Sequence, residues 1–138
     1  MAKRILFRLV FGALCSVSLV VAAGIEVSAR EDENFFTHLH TDKAMANVTV
    51  SPGRAGPVNI TIQLETVEER PLQAKAVSVT LSSTKAGAKR QTIPATKTGE
   101  SEWQVKTSLP MRGRWMLGLG ILISETDKVD VEAPILVK

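Results

Sequence analysis

Residues 44–138 predict an all-β fold, an immunoglobulin-like antiparallel β-sandwich of about seven short strands. Three observations carry this. Apolar and polar residues alternate with a period of two along several stretches, the spacing at which one face of a strand is buried and the other solvated. Clusters of proline and glycine interrupt those stretches at short intervals, as in "SPGRAGP" at 51–57. No stretch beyond residue 30 carries the 3.6-residue period of an amphipathic helix.

Residues 1–29 read as a secretory signal peptide ahead of this fold. Lys3, Arg4 and Arg8 precede an uncharged apolar run, and Val27-Ser28-Ala29 places small residues where a signal peptidase cuts. Cleavage is expected after Ala29, with Ala23 as a second cut site. The run contains serines and glycines and is short for a spanning helix, so the chain meets a membrane only if the segment stays uncleaved. Cys15 lies inside this run, behind Leu14 rather than the small residue that a lipoprotein cysteine requires. The mature chain, 109 residues from Arg30, therefore has no cysteine, no disulfide and no thiolate metal site. That length suits one domain held by its core alone.

Removing the signal leaves 14 basic and 13 acidic residues, a near-neutral balance. Nucleic acid, which selects a clustered basic face, is not an expected partner. "KAGAKR" at 85–90 has three charges and no aromatic neighbour, and reads as a solvated turn.

Residues 30–43 begin "REDEN" and read as a flexible lead-in. "AMANVTV" (44–50) reads as the first strand. "VNITIQLE" then puts Val58, Ile60, Ile62 and Leu64 on one face, against Asn59, Thr61, Gln63 and Glu65 on the other. "VEERPLQ" (67–73) reads as a loop. In "AKAVSVTLSS", Val77, Val79 and Leu81 point inward. "QTIPAT" reads as an edge strand, because Pro94 has no amide to donate. Trp103, Val105, Thr107 and Leu109 share a face, as do Trp115, Leu117, Leu119, Ile121 and Ile123. "KVDVEAPILV" (128–137) closes the chain, with a bulge or break expected near Ala133-Pro134. A single cysteine and no tyrosine exclude two hallmarks of antibody domains, but not the architecture.

The sequence offers no enzyme signature. Acyl transfer requires a nucleophile, a base and an orienting acid, and both histidines fall in the lead-in. Glu68 with Glu69, and Glu100 with Glu102, fall in turns and read as solvated. The "NVT" and "NIT" sequons (47–49, 59–61) fall within strands and read as strand filler. Gly53 and Gly56 are expected to supply positive φ in a turn. Arg54 and Arg114 are expected to pair with acids such as Glu125 or Asp127, and Trp103 and Trp115 to anchor the core.

One segment points to metal chemistry. "FFTHLHTDKAM" (35–45) holds both histidines and a methionine. Residues two apart in extended chain face the same way, so His38 and His40 can address one ion, with Met45 completing the candidate set. Imidazole suits both copper states and thioether suits Cu(I). Met111 and Met116 are the other thioethers of the mature chain. The competing reading is a polar linker in which the histidines bind nothing. An Arg30 start puts no histidine beside the new amino terminus, so no amino-terminal copper motif is expected.

In order along the chain, "HTDKAM", "SPGRAGPVNITIQL", "PLQAKAVSVTLSS", "LPMRGRW" and "ILISETDKV" resemble the C-terminal extracytoplasmic domain of bacterial copper resistance protein D, and also the YtkA-like domains. The resemblance covers about 95 residues from His40 onward. It implies a periplasmic β-sandwich tied to copper homeostasis, with copper as cargo. His40 stands where the family's histidine would match. The polytopic membrane part of that family is absent, which implies binding, delivery or docking rather than transport. The implied partners are a membrane copper transporter or another periplasmic copper protein. The alternative is a metal-free interaction domain that docks on a membrane transporter or an oxidase-assembly partner.

Overall fold

The computed structural model describes residues 33–85 and 89–138. The expected signal peptide lies outside the described residues, as do residues 86–88 of the expected turn. Among the described residues there is no helix long and apolar enough to cross a membrane.

The alternating sets become strands, and their apolar faces meet. One sheet contains β1 (Phe35–His40), β2 (Met45–Ser51), β3 (Gly56–Glu65), β7 (Glu102–Leu109) and β6 (Thr96–Lys97), hydrogen-bonded in the order β1-β2-β3-β7-β6. The other contains β5 (Gln91–Pro94), β4 (Ala76–Ser83), β8 (Gly113–Leu122) and β9 (Lys128–Val137), in the order β5-β4-β8-β9. All pairings are antiparallel. The fold is thus an antiparallel β-sandwich, with nine strands among the described residues rather than about seven.

The chain changes sheet three times: between β3 and β4, at Ala95 between β5 and β6, and between β7 and β8. One apolar cluster spans both sheets, and its buried members run from Leu39 to Val137. Ile60, Ile62 and Leu64 enter it from β3, Val79 and Leu81 from β4, and Leu117, Leu119 and Ile121 from β8. Burying an aliphatic side chain of this size contributes about 1.5–3 kcal/mol before entropy is counted. Trp115 is fully enclosed and its Nε1–H donates to the Met111 carbonyl at 2.9 Å. Trp103 is also buried, but its Nε1 has no hydrogen-bond partner among the described residues.

Three expectations need correction. Residues 35–40 are not part of a flexible lead-in but form β1, paired with β2 from Phe35↔Val50 to His40↔Met45. Their own alternation accounts for this: Phe35 and Leu39 pack toward the core while Phe36, His38 and His40 face outward. The pairing also satisfies backbone groups that β2 would otherwise leave unpaired.

The second correction concerns β9, which has no bulge. Its register with β8 is continuous from Lys128 to Val137. Val129, Ile135 and Val137 are buried and Val131 and Ala133 pack partly against the core, so one parity holds throughout. Leu136 is the apparent exception in sequence, and it simply faces solvent at 56% exposure. Pro134 is accommodated because β9 is an edge strand.

Gly53, thirdly, does not have positive φ; Gly56 does, at 116°. Gly53 is required by proximity instead. A Cβ there would lie 2.6 Å from the Glu33 carbonyl oxygen. Its amide donates to that oxygen at 2.9 Å, and its own carbonyl accepts from the Lys138 amide at 2.9 Å. The β2–β3 turn therefore clasps both the start of β1 and the end of β9.

Glu125 and Asp127, two of the acids offered as arginine partners, have lysines beside them. Lys75 reaches Glu125 at 3.4 Å and Lys43 bonds Asp127. Lysines adjoin these acids because the β1–β2 turn and the start of β4 lie at the same end of the sandwich as the β8–β9 turn.

Candidate metal centre

The β1–β2 hairpin positions the candidate ligands, and its turn sets the register. The Thr41 hydroxyl donates to the Ala44 carbonyl at 2.9 Å and accepts from the amides of Ala44 at 2.9 Å and Lys43 at 3.2 Å. The Thr41 amide closes the same turn on the Ala44 carbonyl at 2.9 Å. A turn tied in this way leaves little freedom to slip, and a one-residue slip would send both histidines to the core face.

In that register His40 stands opposite Met45 and His38 opposite Asn47. Directly opposed residues share a face, with Cβ atoms roughly 4.5–5.5 Å apart. His38, His40 and Met45 therefore belong to one outward-facing set. Both histidines are exposed. Their rings meet edge to face, with centroids 4.2 Å apart and planes at 79°. His38 Nδ1 is hydrogen-bonded to the Asn47 amide oxygen. Met45 shares this set by register but is only 6% exposed.

The donors on offer are thus two adjacent exposed imidazoles and the buried methionine opposite His40. Imidazole and thioether are both donor types that Cu(I) accepts. Among the described residues no group of three or more histidine, cysteine, aspartate or glutamate side chains could hold a metal. An ion held here would have the imidazole pair and the Met45 sulfur as its candidate donors. Met111 and Met116 are placed apart from this set. Met111 is partly buried against the core beside Trp115, and Met116 lies on β8 in the other sheet, opposite Ser82 and Pro134.

Two neighbouring features complete the surface. Phe36, 69% exposed, precedes His38 and His40 along the same face of β1. A shallow depression of about 250 Å³ lies over Phe36, His38, Asn47 and Thr49. At the turn, Lys43 bonds Asp127 and so ties the ligand hairpin to the β8–β9 turn. The Asp127 hydrogen bond, reinforced by its charge, raises the Lys43 pKa above the ordinary 10.5. Both partners are well exposed, so the contact is a weak, salt-sensitive tether. Glu68, Glu69 and Glu100 are exposed, and Glu102 accepts a hydrogen bond from the Thr98 hydroxyl at 3.0 Å.

Asn47 was not among the residues that the sequence singled out. It is part of a sequon inside a strand, and its partnership with His38 exists only once β1 pairs with β2. The signal was nevertheless there, because a tight turn at Thr41–Ala44 brings residues 38 and 47 opposite one another.

No family model matches this chain, and no curated protein does. Among solved structures, an engineered protein shares 12% identity at a TM-score of 0.49 over 67% of this chain, which spans 20% of that protein. A Br derivative of BhCBM56 shares 13% identity at a TM-score of 0.47, over 72% of this chain and 97% of its own. At such TM-scores and identities neither neighbour bears on function.

Proposed function

We propose that this chain is an extracytoplasmic copper-binding or copper-delivery module, exported by its N-terminal signal and holding copper as cargo between His38, His40 and Met45. The observation that carries the reading is the juxtaposition of the two exposed imidazoles, 4.2 Å apart between ring centroids, with His40 directly across from Met45. Imidazoles at that separation can turn toward one ion, and the buried sulfur supplies a soft donor. Open coordination positions suit a protein that passes its ion on, because an incoming ligand can attach before the outgoing one leaves. The partner in this reading is a membrane copper transporter or another periplasmic copper protein.

Titration of residues 30–138 with Cu(I) and with Cu(II), beside a His38→Ala/His40→Ala variant, tests the reading. One equivalent bound at micromolar affinity or better, and lost in the variant, is the expected result. Binding that survives the double substitution would remove the histidine pair from consideration.

A second reading has one observation in its favour. The exposed Phe36 beside the histidines suits a contact surface, on which the same face would dock on a membrane transporter or oxidase-assembly partner without metal. A chain that binds neither copper state, while remaining folded, would favour that reading.

A further inference from the structure

We infer that Asn47 is the positioning residue of the imidazole pair: its side-chain oxygen holds the proton of His38 on Nδ1 and so reserves the Nε2 lone pair for a metal ion. The role in metal binding rests on the copper reading above; the tautomer does not.

A neutral imidazole carries one N–H and one lone pair, and which nitrogen has which is set by its partners. The Asn47 oxygen can only accept. Facing His38 Nδ1, it requires the proton there, which leaves Nε2 unprotonated. A metal binds through a lone pair, so this hydrogen bond selects the ligating atom before any metal arrives.

Two features make the contact a fixed one. Asn47 is the direct cross-strand partner of His38, in a register locked by the Thr41–Ala44 turn. The edge-to-face contact with His40, at an interplanar angle of 79°, is a second contact on the same ring. His40 has no comparable hydrogen bond among the described residues. The pair is therefore asymmetric: His38 is the preset ligand, and His40 is the one free to turn onto the ion. A hydrogen-bond partner that orients a ligating histidine in this way is typically worth about 10–100-fold in metal affinity.

The test uses residues 30–138, which hold the core described above, as wild type, Asn47→Ala and Asn47→Asp. Aspartate keeps an acceptor oxygen and alanine removes it. Long-range 1H–15N spectra of the metal-free protein, at alkaline pH where histidine is neutral, report the tautomer. Copper titrations by calorimetry report affinity, and circular dichroism confirms the fold of each variant. The inference expects His38 as the Nδ1–H tautomer in the wild type and in Asn47→Asp, and a changed tautomer in Asn47→Ala. It also expects copper affinity roughly 10–100-fold weaker in Asn47→Ala and retained in Asn47→Asp. A wild-type His38 protonated on Nε2, or a tautomer unaffected by Asn47→Ala, would overturn it whatever copper does. A changed tautomer with unchanged copper affinity would overturn the positioning role and leave a contact that only pairs strands. The expected tautomer in a protein that binds no copper at all would overturn the copper reading and, with it, the metal role of Asn47.

Discussion

Replacing Gly53 by alanine places a Cβ 2.6 Å from the Glu33 carbonyl oxygen and 3.0 Å from the Phe35 amide nitrogen. Both are backbone atoms, so no side-chain rotation relieves the contact. The Glu33 oxygen must retreat by about 0.4 Å merely to reach 3.0 Å, the closest approach that real Cβ atoms show. That movement strains the hydrogen bonds from the Gly53 amide to Glu33 and from the Lys138 amide to Gly53, each 2.9 Å long. Overpacking of this kind costs about 1–3 kcal/mol, and each weakened hydrogen bond adds up to about 1 kcal/mol. A total of about 1–5 kcal/mol follows, or a fall of at least about 4 °C in Tm for a domain of this size. Thermal unfolding followed by circular dichroism measures the total, and amide hydrogen exchange locates it. The amides of β1 and of Lys138 should lose protection before those of β3 and β8 do. Gly56→Ala is the control. Its Cβ meets nothing within 4 Å, so its cost is the strain of φ at 116° and should leave β1 protected. A Gly53→Ala protein within about 2 °C of wild type, with β1 exchange unchanged, would refute the clasp. Because β1 carries His38 and His40, the same variant should also weaken any copper binding that depends on them.

The two tryptophans should respond differently to phenylalanine. Trp115→Phe strands the Met111 carbonyl that its Nε1–H now satisfies, whereas Trp103→Phe deletes a buried donor that has no partner among the described residues. Urea denaturation should find Trp115→Phe the costlier by about 1–3 kcal/mol. Along β9, Ile135→Ala should cost about 2–5 kcal/mol and Leu136→Ala less than about 0.5 kcal/mol; the reverse order would mean that the strand's parity flips at Pro134.

The course of most strands was legible without coordinates. Val58, Ile60, Ile62 and Leu64 alternate with polar neighbours, and a period of two is imposed by the covalent geometry of extended chain. Their inward face could therefore be named in advance, and so could those of Val77, Val79 and Leu81 and of Trp115 through Ile121. Pro94 announced an edge strand because its missing amide is a purely local fact. The reading failed where local chemistry pointed elsewhere. The acidic "REDEN" run and the histidines masked the short alternation of Phe35, Thr37 and Leu39. In β9, Leu136 broke the apparent pattern because an apolar residue on a solvated face looks the same in sequence as one in a core.

What the chain alone determined was a two-faced set of strands and the proximity in sequence of His38, His40 and Met45. What only the tertiary structure decided was partnership. The pairing of β1 with β2 sets His40 across from Met45 and His38 across from Asn47, and the clasp of Gly53 on Glu33 and Lys138 holds β1 to the body of the sandwich. The physical reason is that a strand has no partner of its own. Its backbone groups are satisfied by another strand, and which residues then stand side by side is a property of register and sheet order rather than of any single segment.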